Sequence, residues 1–133
     1  MSLLKTLAGA IIALGLSAQI AQANVYPVSV SQSGSDMVGQ EIATLVTNQI
    51  AQSADLHLVG INSKVLHVQI SLVSLSGAAA TGYGENWSSA IAYVFSLQPS
   101  DYLVNAGVEI CGSDRVQQCA DMILGDLRTA IHN

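Results

Sequence analysis

The chain has 133 residues, half of them apolar and only a tenth charged, with a formal charge of −5. Four basic residues against nine acidic ones leave no electrostatic footprint for nucleic acid or anionic lipid. So much aliphatic side chain with so little charge also excludes intrinsic disorder.

Met1 to Ala23 reads as a secretory signal peptide and not as part of the fold. Lys5 supplies the positive n-region, Leu7 to Leu16 a short apolar core, and Ala21-Gln22-Ala23 an A-x-A cleavage site. The competing reading is an uncleaved anchor, but the apolar stretch falls short of the roughly 18–20 residues of a spanning helix. No cysteine lies near the cut, which argues against a lipoprotein anchor. The expected destination is the periplasm or the medium, with no stable membrane insertion after cleavage. Cleavage leaves residues 24–133 as a single domain of 110 residues, and loss of Lys5 takes the formal charge to −6. A domain of that size can bury a working core.

In chain order, Asn24 to Ser31 is the first strand, with Tyr26, Val28 and Val30 on one face. Ser31 to Ser35 is a polar turn, after which Ser35 or Asp36 offers an N-cap oxygen. Val38, Ile42, Leu45, Val46 and Ile50 then recur at helical spacing, with a turn at Ser53-Ala54-Asp55. Leu56 to Val59 is a short strand, and Gly60 to Lys64 turns into the central one. That strand, Val65 to Leu75, alternates Leu66, Val68, Ile70 and Leu72 against His67, Gln69 and Ser71. Such alternation gives one buried face and one wet face.

Residues 76–88 have a loop composition that includes Tyr83 and Trp87. Ser89 to Leu97 is an apolar interior strand, Pro99-Ser100-Asp101 a turn, and Val104 to Cys111 the last strand. Val104, Ala106, Val108 and Ile110 are expected inward. Gly112-Ser113-Asp114 opens a second helix with Ser113 as N-cap, and Val116, Ala120, Ile123, Leu124, Leu127 and Ile131 form its stripe. The element order is β-α-β-β-β-β-α. A tight return between the second and third strands makes strands 2 to 5 an antiparallel meander. Two helix stripes and one apolar sheet face imply an α/β fold of α+β type. Its form is a two-layer sandwich, a mostly antiparallel five-stranded sheet with both helices on one face.

Cys111 and Cys119 are the only cysteines, and an oxidising compartment favours their pairing as a structural disulfide. Two buried thiols, or a metal or redox role, are the alternatives, although the spacing is not C-x-x-C. His57 and His67 face each other if their strands form a hairpin, but without an acidic or thiolate third ligand they make no metal site. There is no G-x-S-x-G elbow, no H-E-x-x-H helix and no phosphate loop. The chain is therefore read as a non-enzyme with no cofactor and no bound metal. Tyr83 and Trp87 are the first candidate for partner binding, since loop aromatics are enriched in binding hot spots. The alternative is that Trp87 folds back over the core. His67 and Gln69, on the wet sheet face, are the second candidate.

Asp36, Gly39, Ile42, Ile50, Leu56, Leu58 and Val59 carry a further signal. DMVGQEIATLVTNQIAQSADLHLVG resembles the helix-to-strand segment of small envelope α/β domains. These are the N-terminal domain of TolB, the related CsgG- and LpoB-type modules, and uncharacterised small periplasmic proteins. The match covers about a quarter of residues 24–133, without a lipobox cysteine or propeller repeats. The resemblance implies an accessory role without catalysis. The expectation is a secreted or periplasmic module that binds another envelope protein. A small-ligand-binding protein using the open sheet face is the alternative, and a hydrolase comes third.

Overall fold

The computed structural model describes residues 24–76 and 88–133. The expected signal peptide, Met1 to Ala23, and the aromatics Tyr83 and Trp87 lie outside the described residues. Seven elements follow in the expected order. They are β1 (Tyr26–Ser33), α1 (Met37–Gln52), β2 (Leu56–Leu58), β3 (His67–Ser76), β4 (Ser88–Gln98), β5 (Tyr102–Gly112) and α2 (Val116–His132).

Helix α1 starts where extended Asp36 accepts a hydrogen bond from the Gly39 N–H at 2.9 Å, which satisfies one of the free amides of the first turn. It stops at Ser53, whose N–H bonds the Ile50 carbonyl at 3.1 Å. Helix α2 starts later than the Ser113 cap predicts. The Arg115 N–H closes a turn on the Gly112 carbonyl at 3.0 Å, and Arg115 takes the capping position without a side-chain cap bond.

The strands form one sheet in the order β2-β1-β3-β4-β5. β1 lies between β2 and β3 and runs parallel to both, whereas β3–β4 and β4–β5 are antiparallel. This corrects the expected antiparallel meander: the sheet is mixed, and β2 and β3 are not neighbours. Because a helix joins β1 to β2, the two strands return in the same direction. The eight residues 59–66 then suffice to step past β1 instead of reversing beside β2. His57 and His67 are accordingly separated by β1 and do not face each other.

One side of the sheet carries Val28, Val68, Ile70, Leu72, Ile91, Tyr93 and Phe95. These pack against Val38, Ile42, Val46 and Ile50 of α1 and Ala120, Ile123, Leu124 and Leu127 of α2. Both helices thus cover the same face, as the stripes imply. Leu66 departs from its expected inward place: β3 begins one residue later, and Leu66 is 62% exposed.

Strand β5 departs further. Its Glu109, Gly107 and Asn105 pair with the inward residues Ile91, Tyr93 and Phe95, so Val108 and Ile110 face away from the helices. Tyr93 explains the choice. Its ring lies over Gly107, where a Cβ would overlap the phenol, and its hydroxyl donates to Asp126 of α2. Burial, and then the Asp126 carboxylate, push the phenol well above its usual range. The aromatic of β4 fills the space that larger inward residues of β5 would need.

Two further ties hold α2. Cys111 and Cys119 form the expected disulfide, with a Cα separation of 6.2 Å, joining the end of β5 to the first turn of α2. Near the other end, the Arg128 Nε and Nη2 donate to the Asp55 carboxylate at 2.8 and 3.2 Å, and Nη2 also donates to the Ser53 hydroxyl at 3.2 Å. The paired guanidinium holds the Asp55 carboxyl below its ordinary value.

Candidate functional site

The face of the sheet turned away from the helices exposes large apolar side chains, among them Val73, Leu75, Val94, Val108 and Ile110. Across β3, β4 and β5 the register aligns Val73–Ala92–Val108 and Leu75–Ala90–Ile110 in two neighbouring rows. Val94 and Ala106 continue the surface one row further. The central alanines are short and the flanking residues are long, so the surface is a trough with β4 as its floor. Its walls stand two strand spacings apart, roughly 9–10 Å. Leu75, Val108 and Ile110 are 63–64% exposed.

Charge is missing from this face. Strand alternation places Ser31, Gln69, Ser71 and Ser96 beside the trough, with no Asp, Glu, Lys or Arg among them. A solvated sheet face normally carries charge, and exposed edge strands are usually protected by it. Gln69 belongs to the polar border: its amide donates to the Ser71 hydroxyl at 3.0 Å and lies 3.4 Å from that of Ser31.

His67 is not part of that wet border, contrary to the sequence expectation. It is 2% exposed at the first position of β3, with Nδ1 2.7 Å from the Val65 carbonyl. A carbonyl only accepts, so Nδ1 donates to it, and Nε2 is buried without a partner. The ring lines a cavity of about 310 Å³ below the end of α2, with Tyr26, Leu66, Leu97, Val104 and Ile131 among its walls. This cavity lies on the helix side, not on the open face. Alternation gives His67 the parity of Gln69 and Ser71, but at the first position of β3 its ring is buried and bonded to the Val65 carbonyl.

At the opposite end of the sheet, Asp36 joins three elements. Besides the Gly39 N–H it accepts the Ser89 hydroxyl at 2.5 Å, linking the start of α1 to the start of β4. Burial works to raise its pKa, but hydrogen bonds from Ser74, Ser89 and the Gly39 amide outweigh it and hold the carboxyl below its ordinary value. Gly34, at φ 112°, and Gly39 both lie against Ser74, where an added Cβ would overlap the serine. Among the described residues no three His, Cys, Asp or Glu side chains gather as a metal would require. No helix among them is long and apolar enough to cross a membrane.

Known proteins share this architecture but not the sequence. No family model matches the chain, and no curated protein matches it significantly. Its fold is similar to that of XCC0632 from Xanthomonas campestris, of the DUF330 family, with a TM-score of 0.61 and 8% identity. That likeness covers 85% of this chain and 90% of the other. It is also similar to TolB from Acinetobacter baumannii, with a TM-score of 0.58 and 9% identity over 84% of this chain. Against TolB the chain spans 30% of the length. PelC from Paraburkholderia phytofirmans, a dodecamer, gives a TM-score of 0.50 at 11% identity, covering 72% of this chain and 83% of its own. The resemblance to TolB therefore holds at the level of the fold, and these likenesses show the fold alone.

Proposed function

We propose that this chain is a non-enzymatic module of the bacterial envelope that binds another protein through the uncharged apolar face of its sheet. The observation that carries the reading is the Val73/Leu75–Ala90/Ala92–Val108/Ile110 trough. Contiguous exposed apolar surface of this kind marks interaction sites, and the cores of interfaces are depleted of charge. A partner helix is about 10–12 Å across with its side chains. Its apolar stripe would sit between the two walls and add a third layer to the sandwich.

The envelope location is supported by the signal-peptide pattern and the Cys111–Cys119 disulfide. The non-enzymatic reading is supported by the separation of candidate groups. Ser74, Ser89 and Asp36 stand at the end of the sheet where α1 begins, while His57, His67 and His132 belong to the opposite end. No imidazole is in place to take a proton from either serine.

A photo-crosslinking side chain at Val108, with one at Gln117 on the exposed side of α2 as control, tests the proposal in the host cell. The expected result is a specific adduct with another protein from position 108 and none from 117. An adduct twice the mass of the chain would instead make a second copy the occupant. Equal, diffuse labelling from both positions would refute the reading. The pocket beside His67 supports a second reading, a small apolar ligand held among Tyr26, Leu97, Val104 and Ile131. Native mass spectrometry of protein purified from its host would show that ligand, and an unliganded mass would exclude it.

A further inference from the structure

Strand β1 is eight residues long, but β2 covers only its first half, from Tyr26 to Val28. The main-chain bonds show which residues face that side. The Tyr26 N–H donates to the Asp55 carbonyl at 3.0 Å, and the Val28 carbonyl accepts from the Val59 N–H at 2.9 Å. Backbone groups alternate along a strand, so the even-numbered residues of β1 address β2 and the odd-numbered ones address β3. Val30 and Gln32 therefore direct their N–H and C=O groups past the end of β2, where no described strand lies. Four main-chain groups in line with an existing strand are left without a strand partner.

A groove of about 390 Å³ lies at this edge, between Val30 and Gln32 on one side and α1 on the other. Ala43, Thr44 and Thr47 form its helical wall, and the two threonine hydroxyls are taken by the Gln40 and Ala43 carbonyls at 2.9 and 2.8 Å. Gln40 and Asn48 stand at its two ends. Eight helical residues span about 12 Å, which is the length of three to four residues of extended chain. The groove thus has the length that pairing with Val30 and Gln32 requires. Its lining carries no charge.

We propose that this edge binds an extended segment of a partner polypeptide by strand addition, continuing the line of β2. The segment pairs its backbone with Val30 and Gln32 and turns small or β-branched side chains toward Ala43 and Thr47. The carboxamides of Gln40 and Asn48 are placed to receive the free peptide groups at its ends. Main-chain bonds give such a site its affinity, and the groove gives it side-chain selectivity. The site is distinct from the sheet face and stands or falls separately from it.

The test uses residues 24–133 and a display library of short linear peptides as the probe, with amide exchange read by NMR. In the free protein, Val30 and Gln32 amides are expected to exchange at least about tenfold faster than those of Ser29 and Ser31, which face β3. A selected peptide is expected to slow exchange at Val30 and Gln32 and leave Ser29 and Ser31 unchanged. Thr44→Trp, which fills the groove from an exposed helix position, should weaken that peptide roughly tenfold or more, and Thr44→Lys should do the same. Ile110→Asp should leave it unaffected. Protected Val30 and Gln32 amides in the free protein would overturn the proposal. So would a library without binders, or binders that lose affinity with Ile110→Asp and ignore Thr44→Trp. The last result would leave the sheet-face reading standing alone.

Discussion

Reduction of Cys111–Cys119 should cost this domain a large share of its stability, and the structure sets the size. The two cysteines are eight residues apart and join β5 to the first turn of α2. In the chain-entropy treatment a loop of that length is worth about 2.5 kcal/mol. Both side chains are buried, at 0% and 4% exposure, so the freed thiols remain packed as small hydrophobes. The loss is therefore mainly the cross-link itself. For a domain near 100 residues each kcal/mol moves Tm by roughly 4–8 °C, which makes the expected fall about 10 °C or more. Melts followed by circular dichroism, with and without a phosphine reductant, read it directly. The Cys111→Ala, Cys119→Ala double variant should melt with the reduced protein or slightly below it, since two sulfurs leave the core. Oxidised and reduced melts that coincide would refute the reasoning, because the unfolded chain would then gain nothing from release of the loop.

Other outcomes follow from particular contacts. Ile70→Lys should prevent folding, while Leu66→Lys should shift stability by no more than about 0.5 kcal/mol, because Ile70 is fully buried and Leu66 is exposed; urea titration of both separates them. Gly107→Val should cost about 1–3 kcal/mol by driving the Tyr93 ring from its place over β5, and the loss should show in near-UV circular dichroism as well as in Tm. Asp36 has a folded-state pKa below its ordinary value, so its contribution is full above about pH 4 and is lost as pH falls through the lower folded value. Stability of Asp36→Asn should accordingly fall less steeply than wild type between about pH 4 and pH 2 in denaturant titrations.

Much of the fold was legible because local signals and the tertiary structure agreed. The stripe from Val38 to Ile50 became a helix with its Asp36 cap. The Val68, Ile70 and Leu72 alternation became the centre of the sheet, and Cys111 found Cys119 in the manner the spacing allowed. The sheet order was not legible, since nothing in Leu56–Leu58 distinguishes a hairpin partner of β3 from an edge strand beside β1. Periodicity also fails to say which parity of a strand faces inward when both are apolar. In β5 that choice rests on Tyr93 needing Gly107 opposite it, a pairing between strands that the sequence does not display. The trough was missed for the same reason: Val108 and Ile110 read as core. One signal was available, the absence of any Asp, Glu, Lys or Arg from the open parity of β3 and β4. His67 was misplaced because alternation gives its parity but not the burial of a side chain at the strand's first position.

The central claim is that the uncharged sheet face is a protein interface, and the Val108→Asp, Ile110→Asp double variant tests it most directly. Both side chains are 64% exposed, so the variant should fold and melt within a few degrees of wild type. Capture from envelope extracts, measured beside the wild-type chain, should then show at least a tenfold loss of a partner that the photo-crosslink at position 108 also identifies. Undiminished recovery of that same partner by a correctly folded variant would contradict the claim.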